Sequence, residues 1–199
     1  MDETDTRTES TQAPQASIGQ DTAAPRAARP RITKRKAVEQ VARSYFDALA
    51  RRDPDAMAEH WTEDGVEEIL PVGILRGPAA IKQFFSDTLA AVPDSEFVVT
   101  RLVAGEREVA VEWRMRGTFS GERFQGLDAN GREVEVRGLD LLEIENGKIA
   151  SNTAYYDGMA FARQVGLMPP QDSGAERAMK NAFNASTKLR QAVRQRMSR

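Results

Sequence analysis

The sequence predicts an α+β fold: three early helices cover one face of a curved antiparallel sheet, and a further amphipathic helix follows at the C-terminus. Two patterns carry this reading. Before Pro93 the apolar residues recur mainly at spacings of three and four, the period of amphipathic helices. From Glu96 to Tyr156 they alternate instead, in runs punctuated by Gly105-Glu106, "DANG" and Asn146-Gly147, which reads as a strand meander. Helices and strands segregated along a chain make an α+β layout.

Residues 1–33 hold no aromatic side chain and are rich in Thr, Ser, Gln, Ala and Pro. Such a segment buries too little apolar surface to offset its ordering entropy, so a disordered tail is expected there. The expected domain spans residues 34–170, and residues 171–199 form a separate basic helix. Val38, Val41, Tyr45, Phe46 and Leu49 mark the first helix, which ends near Arg52. Basic residues at its start oppose the helix dipole, which argues for a beginning later than Thr33. Asp53 caps a short second helix, "DPDAMAEHW", with Pro54 at its first position, where a missing N–H is harmless. An extended segment, "GVEEILPVGIL", is broken by Pro71 and Gly73. Gly77-Pro78 then opens the third helix, with Ile81, Phe84, Phe85 and Leu89 on one side. The strands are "EFVVTRLVAG", "EVAVEWRMRGTF", "REVEVRGLDLLEI" and "KIASNTAYY", and the last helix runs from Ala175 to Met197.

Composition removes several functions. The formal net charge is -2, so no global field favours nucleic acid as a partner, and "RPRITKRK" reads as a solvated junction. Cysteine is absent, which excludes disulfides, thiolate nucleophiles, iron–sulfur clusters and cysteine zinc sites. His60 is the single histidine and no Asp-rich calcium loop occurs, so neither a metal nor another cofactor is expected. "MDETDTRTES" lacks the basic and apolar regions of a signal peptide, and no apolar run of spanning length follows, so a cytoplasmic location is expected. The last helix carries Arg177, Lys180, Lys188, Arg190, Arg194, Arg196 and Arg199 against Glu176. Its stripe of Met179, Phe183, Leu189, Val193 and Met197 is expected to pack on the domain or on a second subunit. With one strong aromatic in that stripe, membrane contact is not favoured.

Asp140 is out of place. Val134, Val136, Gly138, Asp140, Leu142 and Ile144 share one parity, hence one strand face. Glu133, Glu135, Arg137 and Glu143 share the other, which suits water. A carboxyl on the apolar face is either a structural acid, tied to backbone N–H groups or to Arg114 or Arg116, or a group kept neutral by desolvation that can hydrogen-bond an oxyanion. His60, in "AEHWTED", is either a base or proton shuttle near neutral pH or a partly exposed helix-end residue. Trp61 and Trp113 read as core or pocket wall. In "SNTAYYDG", Tyr155 and Asp157 share one face and Asn152 and Tyr156 the other, so one pair faces a pocket and the other a partner subunit.

In this order and spacing, "SYFDALARRDPDAMAEHWTEDGVEE", "GPAAIKQFF" and "VRGLDLLEIENGKIASNTAYYDG" resemble the nuclear-transport-factor-2-like superfamily, in its ketosteroid-isomerase-like and SnoaL-like polyketide cyclase branches. The resemblance spans Lys36–Pro170. It implies a cone-shaped sheet around an apolar pocket, a small hydrophobic substrate and a homodimer formed through the sheet. It also implies that Tyr45 and Asp140 donate hydrogen bonds to a substrate oxyanion, the aspartic acid being held neutral by its apolar site, as in that isomerase. The isomerase's base, an acid just before Pro-Val-Gly, is missing, because Leu70 precedes Pro71. Glu68, which shares parity with Val66 and Leu70, is the expected displaced base. Asp157 is the nearest counterpart of an acid/base in the cyclase branch. Gly138 stands where the epoxide-hydrolase-like branch has an arginine, which disfavours that chemistry and leaves space beside Asp140, for a ligand or for a bulge.

The expectation is a cofactor-independent enzyme acting on a hydrophobic carbonyl compound of polyketide, terpenoid or steroid type, by enolisation with cyclisation or isomerisation. Tyr45 and Asp140 hold the enolate oxygen, while Asp157, His60 or Glu68 moves the proton. Trp61, Trp113, Gly138 and Tyr155 contact the substrate. The competing reading is a non-catalytic ligand-binding or association module whose working surface is the basic C-terminal helix.

Overall fold

A computed structural model describes the backbone of residues 29–197 and the side chains of residues 34–197. The elements in chain order are α1 (Arg29–Ala50), α2 (Pro54–Ala58), β1 (Trp61–Leu70), β2 (Gly73–Arg76), α3 (Gly77–Ala91), β3 (Glu96–Ala104), β4 (Glu108–Phe119), β5 (Arg132–Glu145), β6 (Lys148–Tyr156), α4 (Gly158–Gln164) and α5 (Gly174–Met197). Most of the expected tail lies outside the described residues. Its last five positions belong to α1, so the boundary expected at 33/34 falls inside a helix, and the helix starts earlier than its basic residues suggested.

The helices form as their patterns direct. Val38, Ala42, Tyr45, Phe46 and Leu49 bury one face of α1. The Ala56 N–H donates to Asp53 Oδ1 at 3.0 Å, the expected cap of α2. That helix is shorter than expected: it stops at Ala58, and Trp61 already begins β1.

The sheet order is β2-β1-β6-β5-β4-β3. The four meander strands pair antiparallel as expected, whereas β1 pairs with β6 in parallel. The meander leaves β6 with an open edge, an unfavourable row of unpaired backbone groups. β1 occupies that edge, and the long connection through α3 and the meander permits the parallel direction. Helices α1, α2 and α3 fill the concave face, where Tyr45, Met57, Ile81, Val111, Leu142 and Ile149 join one core. Phe119, Val134 and Val165 centre a second cluster.

Helix α4 was not anticipated. It starts because Asp157 turns the chain after β6, its Oδ1 accepting the Ala160 N–H at 2.8 Å, and it packs against β5. Helix α5 is exposed along almost its whole length, so its apolar stripe does not pack on its own domain among the described residues. No described helix is long and apolar enough to cross a membrane.

Candidate active site

Three strands bring Glu67, Asn152 and Asp140 to one point. Burial along β1 falls on Trp61, Gly65, Glu67 and Ile69. Glu67 is therefore the inward acid, and Glu68, expected inside, stands opposite Thr153 on the outer face. The register sets Glu67 beside Asn152 and Asp140 beside Ala154. Asn152 Nδ2 donates to Glu67 Oε1 and Oε2 at 3.0 and 3.1 Å, and to Asp140 Oδ2 at 2.9 Å. Trp113 Nε1 donates to Asp140 Oδ1 at 2.7 Å. Asp140 is thus buried, as its parity demanded, and satisfied by an indole and an amide; Arg114 and Arg116 lie at outer-face positions of the ladder.

Two carboxyls this close and this dry cannot both ionise freely. Burial pushes Asp140 up to about 6, against the pull of its bonds from Trp113 and Asn152. Burial and then the charge on Asp140 push Glu67 well above the usual carboxylate range. Both carboxyls therefore keep their protons to higher pH than ordinary acids do, a property of the two groups together. Both Asp140 oxygens accept hydrogen bonds, and Asp140 does not stand alone: the Asn152 amide joins it to Glu67.

Tyr45 stands opposite on α1. Its ring is held edge-on by Phe46 at 5.2 Å and Trp61 at 5.9 Å, and its buried hydroxyl finds no acceptor among the described residues, the neighbouring Trp61 indole N–H being itself a donor. Burial, followed by the charges of Glu67 and Asp140, raises its pKa well above the usual value. The hydroxyl therefore stays protonated and is a donor without an acceptor. A buried donor in that condition is costly to stability unless a ligand takes it up.

Tyr45, Glu67 and Asp140 all line one cavity of about 110 Å³. Its other walls are largely aromatic, with Phe84 and Phe85 from α3, Phe97 from β3 and Trp113 from β4. Tyr156, Phe124, Gln125 and Phe161 complete the lining. Among the described residues, no lysine, arginine or histidine lines it.

The remaining expected site residues lie elsewhere. His60 is not in the cavity wall: its Nδ1–H donates to Ala56 O at 2.7 Å and its Nε2 meets Ser44 Oγ at 2.9 Å. Asp157 is exposed and occupied as the cap of α4. Tyr155 is 46% exposed on the outer face, and its neighbour Tyr156 faces the cavity instead. Trp61 is core behind Tyr45 rather than wall. Gly138 does not leave open space, because a Cβ there would lie 2.2 Å from Trp113 Cζ2. The glycine lets the indole cross β5 and reach Asp140. Among the described residues, no group of His, Asp or Glu is placed to hold a metal ion.

A curved, unclosed six-stranded sheet with helices on its concave face holds the cavity that Tyr45, Glu67 and Asp140 line. Residues 39–165 match the SnoaL-like polyketide cyclase family, and the chain belongs to it. A steroid Delta-isomerase from Nocardioides simplex is 30% identical over 115 residues, 56% of this chain and 83% of that protein. Among solved structures, AclR from Streptomyces galilaeus is similar with a TM-score of 0.61 at 20% identity, over 83% of this chain and 99% of that one. A SnoaL-like protein from Jannaschia sp. CCS1 has a TM-score of 0.62 at 19% identity, over 68% of this chain and 95% of that one. At these identities the two structures speak for the fold.

Proposed function

We propose that the protein is a cofactor-independent enzyme that enolises a neutral, hydrophobic carbonyl compound and lets the enolate isomerise or cyclise. The observation that carries this reading is a buried Tyr45 hydroxyl without an acceptor that lines one apolar cavity together with the Asn152-linked acids Glu67 and Asp140. The ionised member of the pair takes the proton from the carbon next to the carbonyl, and the C–H electrons form the enolate. Tyr45 and the protonated carboxyl stabilise the developing oxyanion in a water-poor site, where such donors act strongly. The proton then returns to a different carbon, which isomerises the double bond. Alternatively, the enolate carbon attacks a second carbonyl carbon, and the proton goes to the new alkoxide. Neither route gains or loses electrons, so no redox group is called for.

The substrate is neutral in this account, because an anion would meet two carboxyls and no cation. The enclosed volume of about 110 Å³ is below the few hundred of a drug-sized site. A polycyclic polyketide or steroid therefore enters only when the cavity widens. The steroid isomerase relative supports double-bond isomerisation, and the family description supports cyclisation.

The test is binding of a panel of phenols, as enol mimics, to the wild type, Tyr45→Phe and Asp140→Asn, with folding followed by thermal melting. Binding weakened about tenfold or more in both folded variants, the loss expected for a buried hydrogen bond to a charged group, supports the reading. Equal binding by all three removes it and leaves a non-catalytic module. We also propose self-association through the outer sheet face, where Leu139, Leu141 and Tyr155 are exposed.

A further inference from the structure

The cavity runs along successive rows of the sheet. Ile69, Ala154 and Asp140 stand side by side in one row, and Tyr156, Gly138 and Trp113 make the next on the same face, about 7 Å further along the strands. In that second row the Trp113 indole crosses Gly138, where a Cβ would lie 2.2 Å from it, and gives the cavity a flat apolar wall beside the acids. Away from Tyr45, Glu67 and Asp140, the polar residues that line the cavity, among those described, are Thr88, Ser95, Gln125 and Tyr156. Thr88 Oγ1 donates to Phe84 O at 2.8 Å, and Ser95 Oγ accepts from Arg52 Nη1 at 2.7 Å. Tyr156 and Gln125 meet each other. Burial raises the pKa of Tyr156, and a hydrogen bond from the Gln125 side chain draws it back; such a bond lowers a phenol's pKa when the amide N–H donates to the phenol oxygen.

A two-residue turn holds Gln125 at this place. Phe124 and Leu127 exchange backbone hydrogen bonds at 3.0 and 2.9 Å, and between them Gln125 and Gly126 take φ angles of 49° and 80°, the two left-handed residues that such a turn needs. The Phe124 ring packs 5.8 Å from Phe84, which ties the turn to α3. We propose that Tyr156 and Gln125 form a second polar subsite, which binds a hydroxyl group on the substrate remote from its reacting carbonyl. The proposal rests on the enolising reading above and narrows its substrate to a neutral ring compound that carries both a ketone and a hydroxyl. Tyr156 keeps its O–H to donate, and Gln125 keeps its carboxamide oxygen to accept. A hydroxyl answers both, whereas a second ketone or an ether answers the donor alone. The row spacing sets the two substrate oxygens about 7 Å or more apart, so a single small ring does not reach both poles.

The test is calorimetric binding of two neutral phenols, 2-naphthol and naphthalene-2,6-diol, which differ by a second hydroxyl at the opposite end. Wild type, Tyr156→Phe, Gln125→Met and Tyr45→Phe are compared, each checked by thermal melting. Gln125 is exposed and Tyr156 half-buried, so neither of their substitutions puts folding at stake. A symmetric diol gains about twofold by binding either way round. The subsite adds about fivefold, the worth of one net hydrogen bond, so the wild type is expected to prefer the diol by about tenfold. In Tyr156→Phe and in Gln125→Met that preference falls to about twofold. A wild type that binds 2-naphthol through Tyr45 yet prefers the diol by only that statistical factor overturns the subsite and leaves the enolising reading standing. A preference that survives in both variants puts the second oxygen elsewhere and also overturns it. Phenol binding that is absent, or that Tyr45→Phe leaves unchanged, removes the enolising reading and the subsite together.

Discussion

Glu67 and Asp140 sit on strands separated by β6, and one side-chain amide of that strand, on Asn152, donates to both. This arrangement brings two acids from distant parts of the sequence onto one buried donor, so that the charge of Asp140 raises the pKa of Glu67.

Asn152→Ala removes the shared donor. An ionised, buried acceptor left unsatisfied costs more than a neutral one, so a loss of about 2–4 kcal/mol is expected at neutral pH. The loss shrinks near pH 4, where the pair is protonated in the native state. Urea unfolding at the two pH values checks the difference, and an equal loss at both would point to packing alone.

Asp140 also sets a pH dependence with a definite sign. Its native pKa of about 6 lies above its ordinary value of 3.8, so between these values the native state binds more protons than the unfolded state. Stability is highest below about pH 4 on this account and falls as pH rises through 6; Glu67, also raised, extends the decline upward. Asp140→Asn flattens the lower part of that slope in a series of melts across pH.

Glu176 acts in the opposite direction. Bonds from the Asp172 N–H, Lys180 and Arg163 hold its pKa at about 2, below its ordinary 4.5. Its contribution is present above 4.5 and is lost as pH falls toward 2. Loosening of the α4–α5 junction over that window, seen by amide exchange, is expected in the wild type and at all pH values in Glu176→Gln.

Tyr45→Phe removes a buried hydroxyl that has no acceptor among the described residues. Stability should hold or rise slightly, while turnover falls about a hundredfold or more. A clear drop in melting temperature would assign the hydroxyl a structural partner instead.

Gly138→Ala puts a methyl 2.2 Å from the Trp113 ring and 2.7 Å from Tyr155 O. Overpacking of this kind costs about 1–3 kcal/mol, and it displaces the indole from Asp140. Loss of both stability and phenol binding is expected, read by melting and titration.

The fold was legible because its signals are local. Alternation in β5 placed Val134, Val136, Asp140, Leu142 and Ile144 on the buried face, and Asp53-Pro54 marked α2. The direction of β1 was not legible, since strand partners distant in sequence leave no local trace. The inward acid was missed for a similar reason. In "VEEIL" the even positions hold Val66, Glu68 and Leu70, and the odd ones Glu67 and Ile69, so apolar count favours Glu68. The outer face is itself partly apolar, with Leu70 39% exposed, which defeats the rule that the apolar side is the inside. Only the pairing of Glu67 with Asn152 breaks the tie. His60 and Asp157 were plausible chemically but already held by local bonds in the helix ends, a use that residue type alone does not reveal.

The central claim is that the Glu67–Asp140 pair moves a proton at carbon next to a carbonyl held by Tyr45. The most direct measurement is enzyme-dependent deuterium exchange into a panel of neutral cyclic ketones in heavy water, followed by proton NMR, for the wild type, Asp140→Asn, Glu67→Gln and Tyr45→Phe. Exchange at the position beside the carbonyl with wild type, cut about a hundredfold or more in the folded variants, is the predicted result. Exchange at the same rate in all four proteins, or in none of them while the ketones demonstrably bind, would contradict it.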